Sequence, residues 1–315
     1  SFSFCSWSSD MDVVCIDSFI FIVGQFSNPF IIGSDTLINY GSTDIFIAQL
    51  DSSGIILSGT EIGSIGVDEP FSISKLSNDN ILVSGTTTGG NGFSFGNDLV
   101  LPNAGQSFIG RYNFITHQWI SAKAIGCNVV YAKCDDSKNI YLYGTFTSQV
   151  NLDTIQIIGT GLYVSKFDST LSVQWAKSAT SCTGCIAVTT ECGLNREGEI
   201  FLSGDFINPL IIGNDTLIDS GGGTDLFVAK ISNDGNWINA QQYGGLNGQI
   251  IRGFTSGGSS SLFIAGLFTQ NITIGSFNAS SSSATGDLYI AKLIDTPDSC
   301  HKRIEGKITW DKNND

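Results

Sequence analysis

Short apolar strings alternate along the chain with clusters of Gly, Asn, Asp and Ser. The strings are rich in Ile, Phe, Val and Leu, and turn residues bound each of them, which is typical of β-strands. The stretch from Gly198 to Gly245 contains three such strings, IFLSG, DLFVAKI and NWINAQQ. It shows none of the roughly 3.6-residue periodicity of an amphipathic helix. We therefore predict an all-β fold.

Two of these strings repeat along the chain. The first ends in a Gly that recurs about every 60 residues, at Gly24, Gly85, Gly144, Gly204 and Gly266. The second begins at Asp44, Ser107, Leu162, Asp225 and Asp287, and reads DIFIAQLD, SFIGRYN, LYVSKFD, DLFVAKIS and DLYIAKLI. Self-similarity at a fixed period indicates stacked supersecondary units. The chain thus holds five copies of one unit, of which the second diverges most.

The second string is apolar on both faces. Phe227 and Ala229 lie on one side of the strand, and Leu226 and Val228 lie on the other. An antiparallel sheet with one face in water would alternate apolar and polar residues. Both faces must therefore be covered, and a radial array of small sheets does this because each sheet packs between two neighbours.

We predict four strands in each unit. The first strand precedes the Gly string, the two repeated strings follow, and a strand with Trp119, Trp175 or Trp237 comes last. The fifth copy shows no fourth strand, since Pro297 interrupts the pattern, whereas Phe2–Trp7 forms a strand without a partner. Because a closed ring leaves no exposed sheet edge, we predict a five-bladed β-propeller of four-stranded antiparallel blades over residues 1–295, closed by Phe2–Trp7 in the last blade.

These units resemble the bacterial β-propeller repeat of secreted and cell-surface proteins. That repeat has the consensus GN-[IV]-Y-[VL]-[TS]-G, then D-x-F-V-A-K-[LF]-D-x-x-G, then a strand with Trp. The match covers roughly residues 10–295, and the fourth and first copies follow the consensus most closely. The resemblance implies a propeller scaffold of a secreted or surface-attached bacterial protein. It implies no catalytic residues, because the family shares none.

Charge and composition narrow the function classes. The chain has 29 acidic and 15 basic residues, a net charge of −14, and this field would repel the phosphates of nucleic acids. The apolar stretches are as short as strands and interrupted by Gly, so we expect no insertion into a membrane. Few Lys, one Met and eight Cys favour an oxidising environment. We predict an extracellular or cell-surface location and, for a closed ring, a monomer.

The cysteines cluster in the first-strand regions of the third and fourth copies. The candidates for disulfides are Cys127, Cys134, Cys182, Cys185 and Cys192. Seven extended residues span roughly 23 Å, so neither Cys127 and Cys134 nor Cys185 and Cys192 can pair within one straight strand. We expect bridges between adjacent blades or through the loop at Cys182. The alternative is a metal site of Cys182, Cys185 and Cys192, but no second CxxC or His completes it.

The sequence offers few groups for catalysis. Of two His residues, His117 lies in a predicted turn, so neither a Ser-His-Asp nor a Cys-His arrangement is evident. A glycosidase needs two carboxyl groups about 5–5.5 Å or about 6.5–9.5 Å apart. Asp12, Asp68 and Glu191 are the first-strand candidates for this role. The alternative is structural, because Asp residues at strand ends commonly hold turns.

Two further sets of side chains repeat between copies. A basic residue ends the second string in four copies, as Arg111, Lys166, Lys230 and Lys292, with Gln49 in the first copy. These side chains could form a ring of cations that binds a ligand. The repetition favours the other interpretation, in which they are structural and lie along the blade with their charge in water. Trp119, Trp175 and Trp237 are interpreted as packing between blades, with stacking on sugar rings as the alternative.

The segments between the two repeated strings vary most between copies. They read NPFIIGSDTLINYGST in the first copy, TGGNGFSFGNDLVLPNAGQ in the second and NITIGSFNASSSSATG in the fifth. Variable loops carried by a rigid scaffold usually hold the binding surface. We therefore expect the contact face of the protein on these segments.

The C-terminal segment differs from the repeats. We interpret residues 296–315 as a linker and the first strand of a downstream β-module that continues in a longer chain. Asp311, Asn313 and Asp315 alternate as the ligands of a hard cation would, which makes them a candidate calcium site. We expect no other cofactor.

The leading hypothesis is a non-catalytic binding or display module that contacts glycans or other surface proteins. An extracellular glycan-acting enzyme with carboxylates around the propeller axis is one alternative. A lectin with a repeated sugar site is another.

Overall fold

The computed structural model describes residues 11–89, 92–96, 98–101, 107–127, 131–181, 186–195, 198–257, 261–282, 286–296 and 303–309, with the backbone alone for 181, 186–190, 257, 295–296 and 303–309. All helical or strand structure within these ranges is β-strand, which confirms the predicted all-β class. No helix with the length and hydrophobicity of a membrane span occurs in the described part of the chain.

Each repeat contributes six strands. Those of the first two repeats are β1 (Asp12–Ile16), β2 (Phe19–Phe26), β3 (Phe30–Ile32), β4 (Asp35–Leu37), β5 (Asp44–Asp51), β6 (Ile56–Gly63), β7 (Asp68–Lys75), β8 (Asn80–Thr87), β9 (Phe93–Phe95), β10 (Leu99–Leu101), β11 (Ser107–Asn113) and β12 (Gln118–Ile125). Those of the third are β13 (Tyr131–Cys134), β14 (Ile140–Phe146), β15 (Gln149–Leu152), β16 (Ile155–Ile158), β17 (Gly161–Phe167) and β18 (Val173–Ser181).

The last two repeats follow the same scheme. Their strands are β19 (Ile186–Leu194), β20 (Ile200–Ile207), β21 (Leu210–Ile212), β22 (Asp215–Leu217), β23 (Asp225–Ile231), β24 (Trp237–Tyr243), β25 (Gln249–Gly257), β26 (Ser261–Phe268), β27 (Asn271–Ile274), β28 (Phe277–Ser280), β29 (Asp287–Thr296) and β30 (Arg303–Thr309).

In every repeat the first, second, fifth and sixth strands are neighbours in chain order. The sets are β1-β2-β5-β6, β7-β8-β11-β12, β13-β14-β17-β18, β19-β20-β23-β24 and β25-β26-β29-β30. The registers that define these sheets are antiparallel. The repeated strings occupy the second and third places of each set, as the sequence predicts.

The variable segment of each repeat forms a β-hairpin, which the sequence analysis did not predict. The hairpins are β3–β4, β9–β10, β15–β16, β21–β22 and β27–β28. Each turn has a residue with positive φ, namely Gly33, Gly96, Asp153, Gly213 and Gly275. Such residues mark tight hairpin turns. Some hairpins also extend a neighbouring sheet, since β9 pairs with β6 and β21 pairs with β18.

The chain divides into two compact units. The first comprises Ser1–Ile158 and Val164–Ala176, and the second comprises Gly159–Tyr163 and Lys177–Asp315. In the first unit both faces of β5 are buried, as its apolar pattern predicts. Ile45 and Ile47 pack into a core shared with the second repeat. Phe46 and Ala48 pack against Ile32 and Leu37 of the hairpin. The hairpin thus covers the face for which we expected a neighbouring blade.

In the second unit, equivalent strands differ in burial. Leu226 and Val228 of β23 are fully buried in the apolar core. The equivalent residues of β29, Leu288 and Ile290, are 73% and 59% exposed. The last repeat therefore presents an apolar sheet face to solvent.

The last repeat also differs from the sequence-based expectation at its edge. Its fourth strand is β30, which pairs with β29 from Ile290↔Thr309 to Thr296↔Arg303. A fourth strand was not expected in this repeat, because Pro297 interrupts the pattern, but β30 follows that interruption. Residues 2–7, the predicted fourth strand, lie outside the described residues, so their placement and the division at residue 296 stay predictions.

Candidate functional site

An acidic cleft lies between the hairpins of the first two repeats, within the first compact unit. Its volume is about 600 Å³. Strand β6 forms its floor, and hairpin β3–β4 and the turn after β9 form its walls. The lining residues are Ser34, Asp35, Thr36, Leu37, Ile38, Leu57, Ser58, Gly59, Thr60, Glu61, Gly96, Asp98, Tyr112 and His117. The cleft is therefore built largely from the variable segments on which the sequence places the contact face.

Two aspartates fix the hairpins to the strands that flank the cleft. Asp35 accepts a hydrogen bond from the N–H of Gly59 at 2.8 Å. Asp98 accepts one from the N–H of Trp119 at 2.9 Å. Both bonds use Oδ2, and both aspartates follow a turn that contains a Gly with positive φ. The tight turn thus sets the position of each carboxylate.

Close packing fixes the floor of the cleft. Gly59 faces the first hairpin, where an added Cβ would lie 2.9 Å from Cγ2 of Ile32. The indole N–H of Trp119 donates to Oγ1 of Thr60 at 3.1 Å. These contacts hold two elements of the first repeat and one of the second in fixed positions, so the cleft is preformed.

The electrostatic character of the cleft is negative. Asp35, Glu61 and Asp98 line it, and the described lining residues include no Lys or Arg. Burial, and then the charge of Asp35, raises the pKa of Glu61, although a hydrogen bond with Tyr40 opposes this. Burial and the charges of Asp35 and Asp98 raise the pKa of Tyr112. His117 is exposed in the turn between β11 and β12, as the sequence predicts.

These groups are suited to accept hydrogen bonds from a ligand. Carboxylates accept from hydroxyl groups, and bonds to charged acceptors are stronger than neutral ones. No group of three or more His, Cys, Asp or Glu residues with the geometry of a metal site occurs in the described part of the chain. The cleft thus matches a polar, uncharged ligand better than an anion.

A second cavity of about 910 Å³ lies at the ends of the first strands β1, β7 and β13. Asp12 lines this cavity, but its oxygens accept the N–H groups of Val13 and Ile73 at 2.8 and 2.9 Å. Asp135 holds the next turn by accepting from Asn139 and Tyr141. Asp12 and Asp135 therefore anchor backbone and turns in this cavity.

Of the three proposed catalytic acids, the two in the first compact unit do not line the same cavity. Asp12 lines the cavity of the first strands, whereas Asp68 is fully buried at the start of β7 and does not line it. Glu191 lies on β19 in the second compact unit. Sequence reasoning missed the acids of the cleft, of which Asp35 and Asp98 end the hairpin sequences GSD and GND and Glu61 lies on β6.

The repeated basic side chains pack along the sheets. Lys166, Lys230 and Lys292 lie 5.4–5.8 Å from the ring centroids of Tyr141, Phe201 and Phe263. Arg111 donates to Asn80 Oδ1 and the carbonyl of Ser169. Lys230 is 5% exposed and forms an ion pair with Glu199. Its charge is therefore neutralised within the sheet and not, as expected, held in water.

No disulfide is seen among the described residues. Cys127 and Cys192 are buried in the apolar core, and burial raises the pKa of the Cys134 thiol. Cys182 and Cys185 lie outside the described residues, so bridges or a metal site that involve them stay predictions. The same holds for the candidate calcium ligands Asp311, Asn313 and Asp315.

The tryptophans differ in their packing. Trp119 is buried against Phe95 and Tyr112, with ring centroids 5.1 Å apart in both pairs. These ring contacts lie within the second repeat and support a packing role for Trp119, whose indole N–H reaches Thr60 of the first repeat. Trp175 and Trp237 are half-buried.

Comparisons with known proteins identify no relative. No protein-family model matches the sequence. A search of curated proteins likewise gives no match.

Proposed function

We propose that the chain is a non-catalytic binding module of a secreted or surface-attached bacterial protein, and that the acidic cleft binds a neutral glycan. The observation that carries this proposal is the cleft itself, with Asp35, Glu61 and Asp98 on its walls and no Lys or Arg among its described lining residues. Sugar hydroxyls are donors that suit these acceptors. A sulfated or sialylated ligand would meet like charge.

The size of the cleft favours a small ligand over a surface protein. Small-molecule sites are usually preformed clefts of about 300–1,000 Å³, and this cleft of about 600 Å³ lies within that range. The repeated hairpin Asp that positions the cleft occurs in the fourth repeat as well, where Asp215 accepts from the N–H of Ala240 at 2.7 Å. That equivalent residue provides a control.

The binding proposal is tested with an array of neutral, sialylated and sulfated glycans, followed by calorimetry on any ligand found. We expect neutral glycans to bind, and Asp35→Asn and Glu61→Gln to weaken binding tenfold or more, since a hydrogen bond to a charged group is worth about 1.5–3 kcal/mol. Asp215→Asn is the matched control, because it alters the same hairpin bond in another repeat. It should leave the affinity unchanged.

Each other outcome opposes the proposal in a distinct way. Equal losses in Asp35→Asn and Asp215→Asn would favour a lectin with a repeated site. Turnover of the bound glycan that Glu61→Gln abolishes would favour an enzyme, and turnover that depends on Asp12, Asp68 or Glu191 would favour axial catalysis. Binding of anionic glycans alone, or of none, would refute the proposal.

We further propose that the five repeats are the blades of one five-bladed propeller, with residues 2–7 as the closing strand. The shared order of the four long strands supports this, and the exposed apolar residues Leu288 and Ile290 require a cover. Deletion of residues 1–9 is expected to lower the melting temperature by more than about 5 °C, and deletion of 303–315 to have a smaller effect. In the structure β30 pairs with the edge of β29. A larger loss of melting temperature on deletion of 303–315 than on deletion of 1–9 would therefore refute closure by residues 2–7.

A further inference from the structure

Two carboxyl groups meet in the interior of the first compact unit. Asp44 begins β5 and Asp68 begins β7, and the side chains of both are fully buried. The backbone N–H of Asp68 donates to the carbonyl of Thr43 at 2.8 Å, which places Asp68 beside Asp44, and the two carboxyls interact. The Oδ1 atom of Asp44 receives no hydrogen bond from an N–H or O–H group of the described residues. A buried carboxylate oxygen without a donor, next to a second buried acid, favours a proton on the pair.

The remaining oxygens of the pair are held in place. The backbone N–H of Tyr40 donates to Oδ2 of Asp44. Ser64 donates twice to Asp68, from its N–H at 2.6 Å and from its hydroxyl at 2.7 Å. The N–H of Gly66 donates to the same hydroxyl, so the carboxyl of Asp68 organises the whole turn 63–68.

Among the described residues, no Lys, Arg or His acts on Asp44. The titratable groups that act on Asp44 are Asp68 on β7 and, in the segment before β5, Tyr40. The next group is Glu61 on β6, which is bonded to Tyr40 and is also acidic. The described residues hold no ready-made metal cluster here. Ionisation of both carboxyls would thus place two like charges together in a buried site, which costs free energy.

The fourth repeat contains an equivalent turn, residues 244–249, without the second carboxyl. Asp225 is equivalent to Asp44, and Gln249 is equivalent to Asp68. Gln249 Oε1 accepts the N–H of Gly245 at 3.1 Å, as Asp68 accepts that of Ser64. Its Nε2 donates to the carbonyl of Asn271 at 3.1 Å. The amide therefore holds its turn without a second carboxyl, although burial raises the pKa of Asp225 as well.

We propose that turn 63–68 is a pH-responsive joint, in which Asp44 and Asp68 share one proton and the turn opens when that proton is lost to solvent. The proposal does not depend on glycan binding. Burial, and the contact with Asp68, raise the pKa of Asp44 to about 7. The joint is therefore closed in weakly acidic solution and loosens in weakly alkaline solution.

The test is amide hydrogen exchange, measured by NMR between pH 5.5 and 8.5 and corrected for intrinsic exchange. We expect protection of the Ser64 and Gly66 amides to fall at least fivefold across this range. Protection of the Gly245 and Gln249 amides, measured in the same samples, should fall less, because burial raises the pKa of Asp225 as well but no second carboxyl faces it. Asp68→Gln, which copies the fourth repeat, should reduce the pH dependence at turn 63–68 to that of the fourth repeat.

Two outcomes would overturn the proposal. One is equal pH dependence at both turns, and the other is a pH dependence at turn 63–68 that Asp68→Gln does not reduce. Should Asp68→Gln fail to fold, the ¹³C carboxyl shift of Asp44 in the unaltered protein decides. A midpoint near 7 supports a shared proton, and a midpoint near the ordinary value of Asp refutes it.

Discussion

The first and fourth repeats are close in sequence and differ in charge. Their hairpins read NPFIIGSDTLIN and NPLIIGNDTLID. Asp35 and Asp215 make the same bond to the strand beside the hairpin. At two positions that are buried in the first repeat, however, that repeat has the carboxyls Glu61 and Asp68 where the fourth has the amides Gln242 and Gln249.

The difference shows which property of each side chain the fold requires. The turn needs an acceptor at Asp68 or Gln249, and a carboxylate and an amide both provide one. Only the amide also donates, so Gln242 binds both the N–H and the carbonyl of Ile218, at 2.9 and 2.6 Å. The first repeat lacks that donor. It has instead an acidic cleft and, at turn 63–68, the buried pair Asp44 and Asp68, which we propose shares a proton.

At one further position the fourth repeat has the acid and the first repeat has the amide. Asp205 in the fourth repeat accepts the N–H of Ile251 in the next. The equivalent of Ile251 after the first repeat is Pro70, which has no N–H. Gln25, the equivalent of Asp205, instead donates to the carbonyl of Asp68 at 2.9 Å. The opposing backbone thus decides between acid and amide.

The largest effect is expected at the glycine that faces each buried Asp. An added Cβ at Gly63 would lie 2.6 Å from Cδ2 of Tyr40 and 2.8 Å from the Asp44 carboxyl. At Gly244 it would overlap Oδ1 of Asp225. We expect Gly63→Ala to lower the free energy of unfolding by about 2 kcal/mol and Gly244→Ala by about 3 kcal/mol. Urea denaturation measures both.

Gly253→Ala provides the control, because an added Cβ there meets no atom within 4 Å. It should change the free energy of unfolding by less than about 1 kcal/mol. If Gly63→Ala and Gly244→Ala change the free energy of unfolding as little as Gly253→Ala does, then glycine is not required beside the buried Asp in either repeat.

A smaller effect is expected from pH. The pKa of Asp44 is about 7 in the folded protein and ordinary in the unfolded chain, so the folded state binds more protons between about pH 4 and pH 7. Stability should therefore fall as pH rises through this window, by roughly 2 kcal/mol after allowance for screening, and then level off. Urea denaturation at a series of pH values measures this fall.

The fourth repeat contributes a change of the same sign. Burial raises the pKa of Asp205 to about 6. Asp68→Gln should reduce the part of the pH dependence that belongs to the first repeat, and Asp205→Asn should reduce the part that belongs to the fourth, to which Asp225 also contributes. A pH dependence that neither substitution reduces would show that these buried acids do not cause it.

The sequence predicts the strands well and the sites poorly, for a physical reason. The strings ending at Gly24 and Gly204 and the two-sided apolar pattern of Phe227 and Val228 are local signals, and the structure confirms the strands they predict. The hairpin turns at Gly33 and Gly213 are local signals as well, but we interpreted their segments as loops. Here the sequence carried enough information to find the hairpins.

The contact between Asp44 and Asp68 is not a local signal. The two residues lie in different repeats, and only the closed turn 63–68 brings their carboxyls together. Burial of Lys230 depends likewise on Glu199, which precedes β20. Side chains joined through tertiary contacts could not be recognised from period or spacing in one sequence.

A still smaller effect is expected from exchanging acid and amide beside the hairpins. Glu61→Gln gives the first repeat the donor that Gln242 uses in the fourth, and it removes a carboxyl whose pKa burial raises. We expect the free energy of unfolding at pH 8 to rise by about 1 kcal/mol. Gln242→Glu should lower it by a similar amount, because a carboxylate would then face the carbonyl of Ile218. A change of the same sign in both variants would contradict the equivalence of the two positions.

The smallest effect is expected at the end of the third long strand, where Lys230 and Gln49 are equivalent. Lys230 contacts Glu199 at 2.6 Å and lies over Phe201, whereas Gln49 accepts from Ser58 at 3.1 Å. Lys230→Gln should cost about 1 kcal/mol, because Glu199 keeps its bond from Asn195 and is not left without a donor. Urea denaturation measures this cost, and a double-mutant cycle with Glu199→Gln isolates the contribution of the ion pair, since salt screens a buried pair only weakly. A coupling free energy near zero would assign the role of Lys230 to its packing on Phe201, and the charge of this repeated column would then be incidental to both repeats.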